Sequence, residues 1–197
     1  MRTLLPYMLF CFALLQFSCE ENIQLTSQNQ LANNFLSQGN YDSAIYYANQ
    51  SLLSNQNPED AYYSHYIIAL SQHQKKSYLN ASDHYLKAIE IIPESDLFIK
   101  TKFSLLSNMG SICLKYSDYN NAKSFYEKAL SLANTGNRAG LLNNIARVYI
   151  KQQDYEQASE KYLEALDLAL ATNDVKMQIR IYHQLGVVYA ALKDFDK

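Results

Sequence analysis

The sequence predicts an all-α protein, a superhelical α-α solenoid of right-handed, stacked helix-turn-helix repeats with four full repeats and half of a fifth. Three observations carry this. A five-residue signature recurs as Asn40-Tyr41-Asp42-Ser43-Ala44, Ser77-Tyr78-Leu79-Asn80-Ala81, Asp118-Tyr119-Asn120-Asn121-Ala122 and Asp154-Tyr155-Glu156-Gln157-Ala158. Its alanines lie 37, 41 and 36 residues apart, the spacing of a repeated helical hairpin. Tyr makes up 17 of 197 residues yet holds the second place in all four copies, which composition alone does not produce. Around each signature, apolar residues recur at helical spacing. Finally, five Gly and three Pro leave long uninterrupted helical stretches, and no stretch reads as a β-strand.

The clearest hairpin is Gly140–Ala171. Leu142, Ile145, Ala146 and Tyr149 form one apolar stripe, Ala158, Tyr162, Ala165, Leu166 and Ala169 another, with a polar turn at Gln152–Asp154 between them. Neither stripe can be buried by one hairpin, so each hairpin needs neighbours.

The solenoid is expected over 25–197. Repeat 1 covers about 25–57 and turns at Gln38-Gly39-Asn40. Repeat 2, at 58–94, opens on Asn57-Pro58-Glu59-Asp60: an N-cap, a Pro in the first turn, then acids at the positive helix end. Its first helix is expected to reach about Gln74. Pro93-Glu94-Ser95-Asp96 repeats that signal for repeat 3, at 95–136. Asn134–Arg138, containing Gly136, is read as the separator before repeat 4, at 137–173, and Thr172-Asn173-Asp174 as the separator before the half repeat at 174–197. Asp194-Phe195-Asp196-Lys197 starts a fifth signature. The helix expected over Lys176–Leu192 would therefore present Leu185, Val188 and Tyr189 with cover from one side only. The sequence is accordingly read as a fragment of a longer chain.

In these positions the chain resembles the tetratricopeptide repeat family. That family sets a small residue midway along helix A with an aromatic three later, then Tyr and Ala opening helix B, an aromatic four on and a second Ala. Repeat 4 matches with Ala146, Tyr149, Tyr155, Ala158, Tyr162 and Ala165, and repeat 3 with Gly110, Cys113, Tyr119, Ala122, Tyr126 and Ala129. Repeat 2 has Ala69, Gln72, Tyr78, Ala81, Tyr85 and Ala88. Repeat 1, with Ala32, Phe35, Tyr41, Ala44, Ala48 and Ser51, departs most, and repeat 5 begins with Leu185, Gly186 and Tyr189. Small residues let helices cross closely, and aromatics fill the space between crossings.

Residues 1–19 differ in kind. Arg2 precedes the apolar run Leu4–Phe17, which is shorter than the roughly 20 residues of a membrane span and fits a secretory signal. Ser18-Cys19 resembles a bacterial lipobox, in which the Cys is lipidated and becomes the mature N-terminus, although Gln16 and Phe17 stand where the family prefers Leu and a small residue. Plain signal cleavage, a partly buried helix or an uncleaved anchor are the alternatives. Residues 20–24 read as a tether. The expectation is export across the inner membrane into the cell envelope, with membrane attachment through a lipid on Cys19.

A net charge of −2 and the lack of a basic stripe argue against nucleic acid as a partner. Of the three cysteines, Cys11 lies in the signal, Cys19 is the lipid candidate and Cys113 falls on a helix A core position. No disulfide pair or zinc-ligand spacing is left. His65, His73, His84 and His183 have no acid or Cys at metal or triad spacing. No Gly-rich phosphate loop exists. No catalytic residues, cofactor or metal are therefore expected, and the protein is not read as an enzyme.

The resemblance implies instead that helix A residues missing the core line a concave peptide- or helix-binding groove. Those carried over are Asn143, Asn144, Arg147 and Lys151 in repeat 4, and Arg180, His183 and Gln184 in repeat 5. Repeat 3 adds Ser107, Asn108, Ser111 and Lys115, repeat 1 adds Asn29 and Asn33, and repeat 2 is aromatic, with Tyr63 and Tyr66. Amides can hydrogen-bond a peptide backbone and the cations can pair with carboxylates. The carboxylate-clamp set of the chaperone-binding members is not reproduced. The function this implies is a non-enzymatic protein-protein interaction scaffold of the bacterial envelope. The alternative is the extracytoplasmic sensor portion of a truncated signalling receptor or transcriptional regulator.

Overall fold

The structure, a computed structural model, describes residues 25–54, 57–95 and 98–195. The expectations for 1–24 (signal, Cys19 lipid site, tether) lie outside the described residues. Among the described residues the chain forms nine helices and no strand: α1 Ser27–Ser37, α2 Tyr41–Ser54, α3 Pro58–Gln74, α4 Tyr78–Ile91, α5 Ile99–Lys115, α6 Tyr119–Leu132, α7 Thr135–Lys151, α8 Tyr155–Ala171 and α9 Val175–Phe195. They pack as the hairpins α1–α2, α3–α4, α5–α6 and α7–α8, followed by α9. Odd-numbered helices are the A helices of the repeats and even-numbered ones the B helices.

The turns explain why the signature is local. In each hairpin the middle turn residue is left-handed: Gly39 (φ 73°), Lys76 (62°), Ser117 (63°) and Gln153 (63°). The chain leaves helix A through paired bonds that satisfy its last carbonyls, as in Gln153 N–H to Ile150 O and Asp154 N–H to Tyr149 O, both 3.0 Å. The next residue then starts helix B. Asp118 and Asp154 cap α6 and α8 through Asn121 N–H and Gln157 N–H, at 3.3 and 3.1 Å. The signature Tyr is the first residue of each B helix.

Within each hairpin the small residues are where the helices meet. Ala81, Ala88, Ala122, Ala129, Ala158 and Ala165 are fully buried, as are the ring-bearing residues between them, Tyr85, Tyr126 and Tyr162. Burying an aromatic ring contributes about 2–3 kcal/mol relative to leaving it exposed, so one such residue per hairpin matters against a stability of about 5–15 kcal/mol. Repeat 1 has no such ring in α2, where Ala48 and Ser51 take the buried positions. Phe35 instead stacks on Tyr47, with centroids 5.3 Å apart and planes 6° from parallel.

Repeat 1 is held to repeat 2 by buried polar groups. Asn29 Nδ2 donates to Asp60 O and Asp60 Oδ1, both at 3.0 Å, and Asn29 Oδ1 accepts from Ser64 Oγ at 2.9 Å. Thr26 N–H also donates to Asp60 Oδ1, at 3.0 Å.

Three helix limits differ from the sequence reading. Asn57 and Pro58 open α3 as expected, Asn57 Oδ1 accepting from Glu59 N–H at 3.1 Å. The similar Pro93 signal does not open α5, which starts only at Ile99. Phe98, just before it, is buried edge-on against Tyr62 at 5.3 Å, and this anchor sets the start instead. Asn134–Arg138 is not a separator. Asn134 caps α7 through Asn137 N–H at 3.1 Å, so Gly136 and Arg138 lie in its first turn. At the far end α9 continues to Phe195, through the residues equivalent to the Gln152–Asp154 turn. Ala190, Ala191, Leu192 and Lys193 are strong helix formers and extend it.

Candidate functional site

Successive A helices touch (α1 with α3, α5 with α7, α7 with α9), and each B helix packs on the next A helix. The closer approach on the A side curls the stack, and α5, α7 and α9 present their uncommitted residues along its inner face.

On α7, helical spacing puts Asn143, Asn144 and Arg147 within one turn, and α9 sets Arg180 and Gln184 opposite. These five line a cleft of about 280 Å³. It opens into a second one of about 310 Å³, floored by Phe103, Ser107, Gly140, Leu141 and Met177. Toward α5 a cleft of about 430 Å³ is lined by Ser111, Lys115, Tyr126, Arg147 and Lys151. Arg147 belongs to both ends of the groove.

The polar groups here are only partly satisfied. Arg147 Nη1 donates to Asn144 Oδ1 at 3.4 Å, and Asn143 Nδ2 makes a long 3.5 Å contact with the same oxygen. Asn143 is 3% exposed, and its Oδ1 has no hydrogen-bond partner among the described residues. A buried carbonyl left so costs about 1–3 kcal/mol. The five ion pairs of the described residues, such as Lys87 with Asp83 and Lys161 with Glu164, leave out Arg147, Lys151 and Arg180. Two phenols approach from beneath. Burial raises the Tyr126 hydroxyl and pushes Tyr162 up to about 12, while the nearby Arg147 charge draws each back. Tyr126 Oη meets Ser111 Oγ at 3.0 Å, whereas Tyr162 Oη has no partner among the described residues.

Of the residues expected in the groove, Asn143, Asn144, Arg147, Lys151, Arg180 and Gln184 do line these clefts. Asn108 does not, lying instead against the Tyr85 hydroxyl. His183 is exposed, its Nδ1 3.3 Å from Gln184 Nε2, and lines none of the three. Asn29 is a structural residue of the α1–α3 contact, with no surface to offer. Tyr66 reaches Ser104 Oγ at 3.5 Å.

One juxtaposition was not readable from spacing. His65 on α3 and His84 on α4 are 19 residues apart in sequence, yet their Nδ1 atoms lie 2.9 Å apart. Folding the hairpin about its Lys75–Ser77 turn brings the middles of α3 and α4 together, which is the signal that would have found the pair. Among the described residues no group of three or more His, Cys, Asp or Glu side chains is placed to hold a metal ion. Nor is any helix among them long and apolar enough to cross a membrane.

Family comparison agrees with the hairpin geometry. Three models, each described as tetratricopeptide repeat, match residues 29–96, 103–135 and 137–197. The chain belongs to the tetratricopeptide repeat family. Among solved structures it is similar to a crystal structure of MamA protein, at 16% identity and TM-score 0.68, covering 84% of this chain and 81% of that one. It is also similar to a structure of the nearly identical TPR-like repeats of a putative kinesin light chain from Podosopora anserina, at 13% identity and TM-score 0.66, covering 85% and 86%. At such identities the likeness concerns the fold. No curated protein matches the chain. A protein-protein interaction scaffold is the role that tetratricopeptide repeats support.

Proposed function

We propose that this tetratricopeptide repeat protein is a non-enzymatic scaffold of the bacterial cell envelope that binds a peptide or helix in the groove of α5, α7 and α9. The ligand carries an acidic side chain or a C-terminal carboxylate placed between Arg147 and Arg180. One observation carries this reading: the buried, unpartnered Asn143 carbonyl sits beside two arginines that pair with no carboxylate among the described residues. A peptide backbone N–H would satisfy the carbonyl, and a carboxylate would meet the guanidinium groups with charge-assisted bonds.

The envelope assignment rests on Arg2, the apolar run Leu4–Phe17 and Cys19, whose lipidation would tether the scaffold to a membrane. Peptides ending in Asp or Glu, scored by fluorescence anisotropy, should bind the parent chain and lose binding to Arg147→Glu/Arg180→Glu. Helicity should be unchanged. Equal binding by both proteins removes this groove from consideration. The anchor is tested separately, because labelled fatty acid should mark the parent and not Cys19→Ser.

A further inference from the structure

The α3–α4 hairpin carries three of the chain's four histidines, and none of them lines the groove. His65 on α3 and His84 on α4 meet head-on through Nδ1 at 2.9 Å, with ring centroids 5.1 Å apart. One ring donates an N–H across this contact and the other accepts on a lone pair, so one of the two facing nitrogens must be bare. His73 bridges the same helices, its Nδ1 3.3 Å from Tyr85 Oη and its ring edge-on to Tyr78 at 5.3 Å. All three are half-buried.

We propose that the His65–His84 pair is an acid-sensitive latch, which ties α3 to α4 near neutrality and lets this hairpin open ahead of the later ones as the medium falls to about pH 5. The reason lies in the number of protons the pair can hold. The donor ring can take one on its Nε2 and keep the bond, as an imidazolium donating to a neutral imidazole. A second proton would set N–H against N–H and bring two like charges into contact. The unfolded chain binds both below the ordinary histidine value of about 6.5. Opening therefore takes up protons in acid, and each one raises the opening constant about tenfold per pH unit below that value.

Burial resists even the first proton. It lowers both rings, His65 to about 4; the partner ring adds to this at His65, Lys87 adds to it at both, and Asp83 opposes it. Lys87 and Asp83 hold each other at 2.8 Å. Among the described residues, the other elements packed on these helices bring no charge to the pair. α1 has no charged side chain, and the one in α2, Asp42, pairs with Lys75. In α5, Lys100 is exposed, Lys102 pairs with Glu94 and Lys115 lies over the Tyr78 ring. On α3 and α4 themselves, Glu59 and Glu90 are exposed and Asp60 is held by Asn29. Burial lowers His73 as well. Stability drawn from lowered histidines is full above about pH 6.5 and is lost as pH falls toward the folded values.

Release would reach beyond the hairpin. α3 carries Asp60, which holds Asn29 of α1, and Tyr62, which anchors Phe98 ahead of α5. A loosened α3 unties repeat 1 from the later repeats. The hairpins α5–α6 and α7–α8 contain no histidine and stay closed.

The test is amide exchange of the full-length chain at about pH 7.5 and about pH 5, corrected for the intrinsic exchange rate at each. Opening constants in α3 and α4 should rise by about tenfold or more on acidification, with α1 and α2 following, while α7 and α8 hold steady. His65→Gln/His84→Gln, shown by circular dichroism to keep its helicity, should lose most of that response whatever its stability at neutral pH. His183→Gln should keep it. Nitrogen NMR of the parent needs no variant: near neutrality one of the paired rings should be protonated on Nδ1 and the other on Nε2. Opening of α3 and α4 that ignores pH overturns the proposal, as does a double variant with the parent's response. Two rings that both titrate near the ordinary histidine value while the hairpin stays protected overturn it as well.

Discussion

A Cβ placed on Gly110 would lie 2.7 Å from two carbons of the Tyr126 ring, so α5 and α6 approach as closely as a bare backbone allows. The ring is fully buried and has little room to withdraw. Gly110→Ala should therefore destabilise by about 1–3 kcal/mol, the cost of overpacking, despite the better helix propensity of Ala. Gly186 occupies the equivalent position in α9, and an added Cβ there meets nothing within 4 Å. Gly186→Ala should stabilise by about 0.5–1 kcal/mol through backbone entropy alone. Denaturant melts of the two variants decide this, and shifts of the same sign would refute it.

The hydroxyls of Tyr126 and Tyr162 should respond in opposite ways to removal. Tyr126→Phe loses the 3.0 Å contact with Ser111 and should cost about 1 kcal/mol. Tyr162→Phe deletes a buried hydroxyl without a partner among the described residues, and should be neutral or stabilising. Truncation to Ala at Tyr162 should cost about 3–5 kcal/mol. The signature residue Tyr155 is only half-buried, so Tyr155→Ala should cost less than Tyr162→Ala. Thermal melts in which Tyr155→Ala is the more damaging of the two would contradict this packing.

The hairpin order was legible because each repeat states it again: Tyr155 and Ala158 mean little alone, but four spaced copies mark four B helices. The groove positions Asn143, Asn144, Arg147 and Arg180 followed from the same register. What spacing could not convey was depth. Asn29 aligns with groove residues, yet it is buried because Asp60 and Ser64 on α3 reach it from the next repeat. Pro93 looks like Pro58, but the burial of Phe98 against Tyr62 outweighs that local start signal. His65 and His84 meet only because two helices fold onto one another. Each of these depends on contacts between elements, to which a single-helix pattern is blind.

The left-handed turn residues are a reservoir of stability. Lys76, Ser117 and Gln153 hold φ of 62–63°, which costs a residue with a side chain about 1–2 kcal/mol. Glycine takes that conformation freely but loses about 0.5–1 kcal/mol of chain entropy on folding. Gln153→Gly should thus gain about 0.5–1 kcal/mol. The three residues lie in the turns of three different hairpins, so the triple variant should sum the single effects. Asn173, at φ 53°, should gain less, since Asn tolerates this region better. Urea unfolding midpoints that drop in the single glycine variants would reject this account.

The Asn29–Asp60 contact makes repeat 1 depend on repeat 2. Asn29→Ala removes the two bonds donated to Asp60, one of them at its carboxylate, and one of the two acceptors facing Ser64 Oγ, in a place closed to water. Bonds to charged groups contribute about 1.5–3 kcal/mol, so a loss of about 2–3 kcal/mol is expected. Asn29→Asp should be worse, because it sets a second carboxylate against Asp60. A solenoid transmits stability from neighbour to neighbour, so the damage should be graded along the chain. Amide exchange should quicken most in α1 and α2, less in α3, and not in α7 and α8. Uniform quickening over all the helices would mean that the chain unfolds as one unit and that this contact does not hold repeat 1 separately.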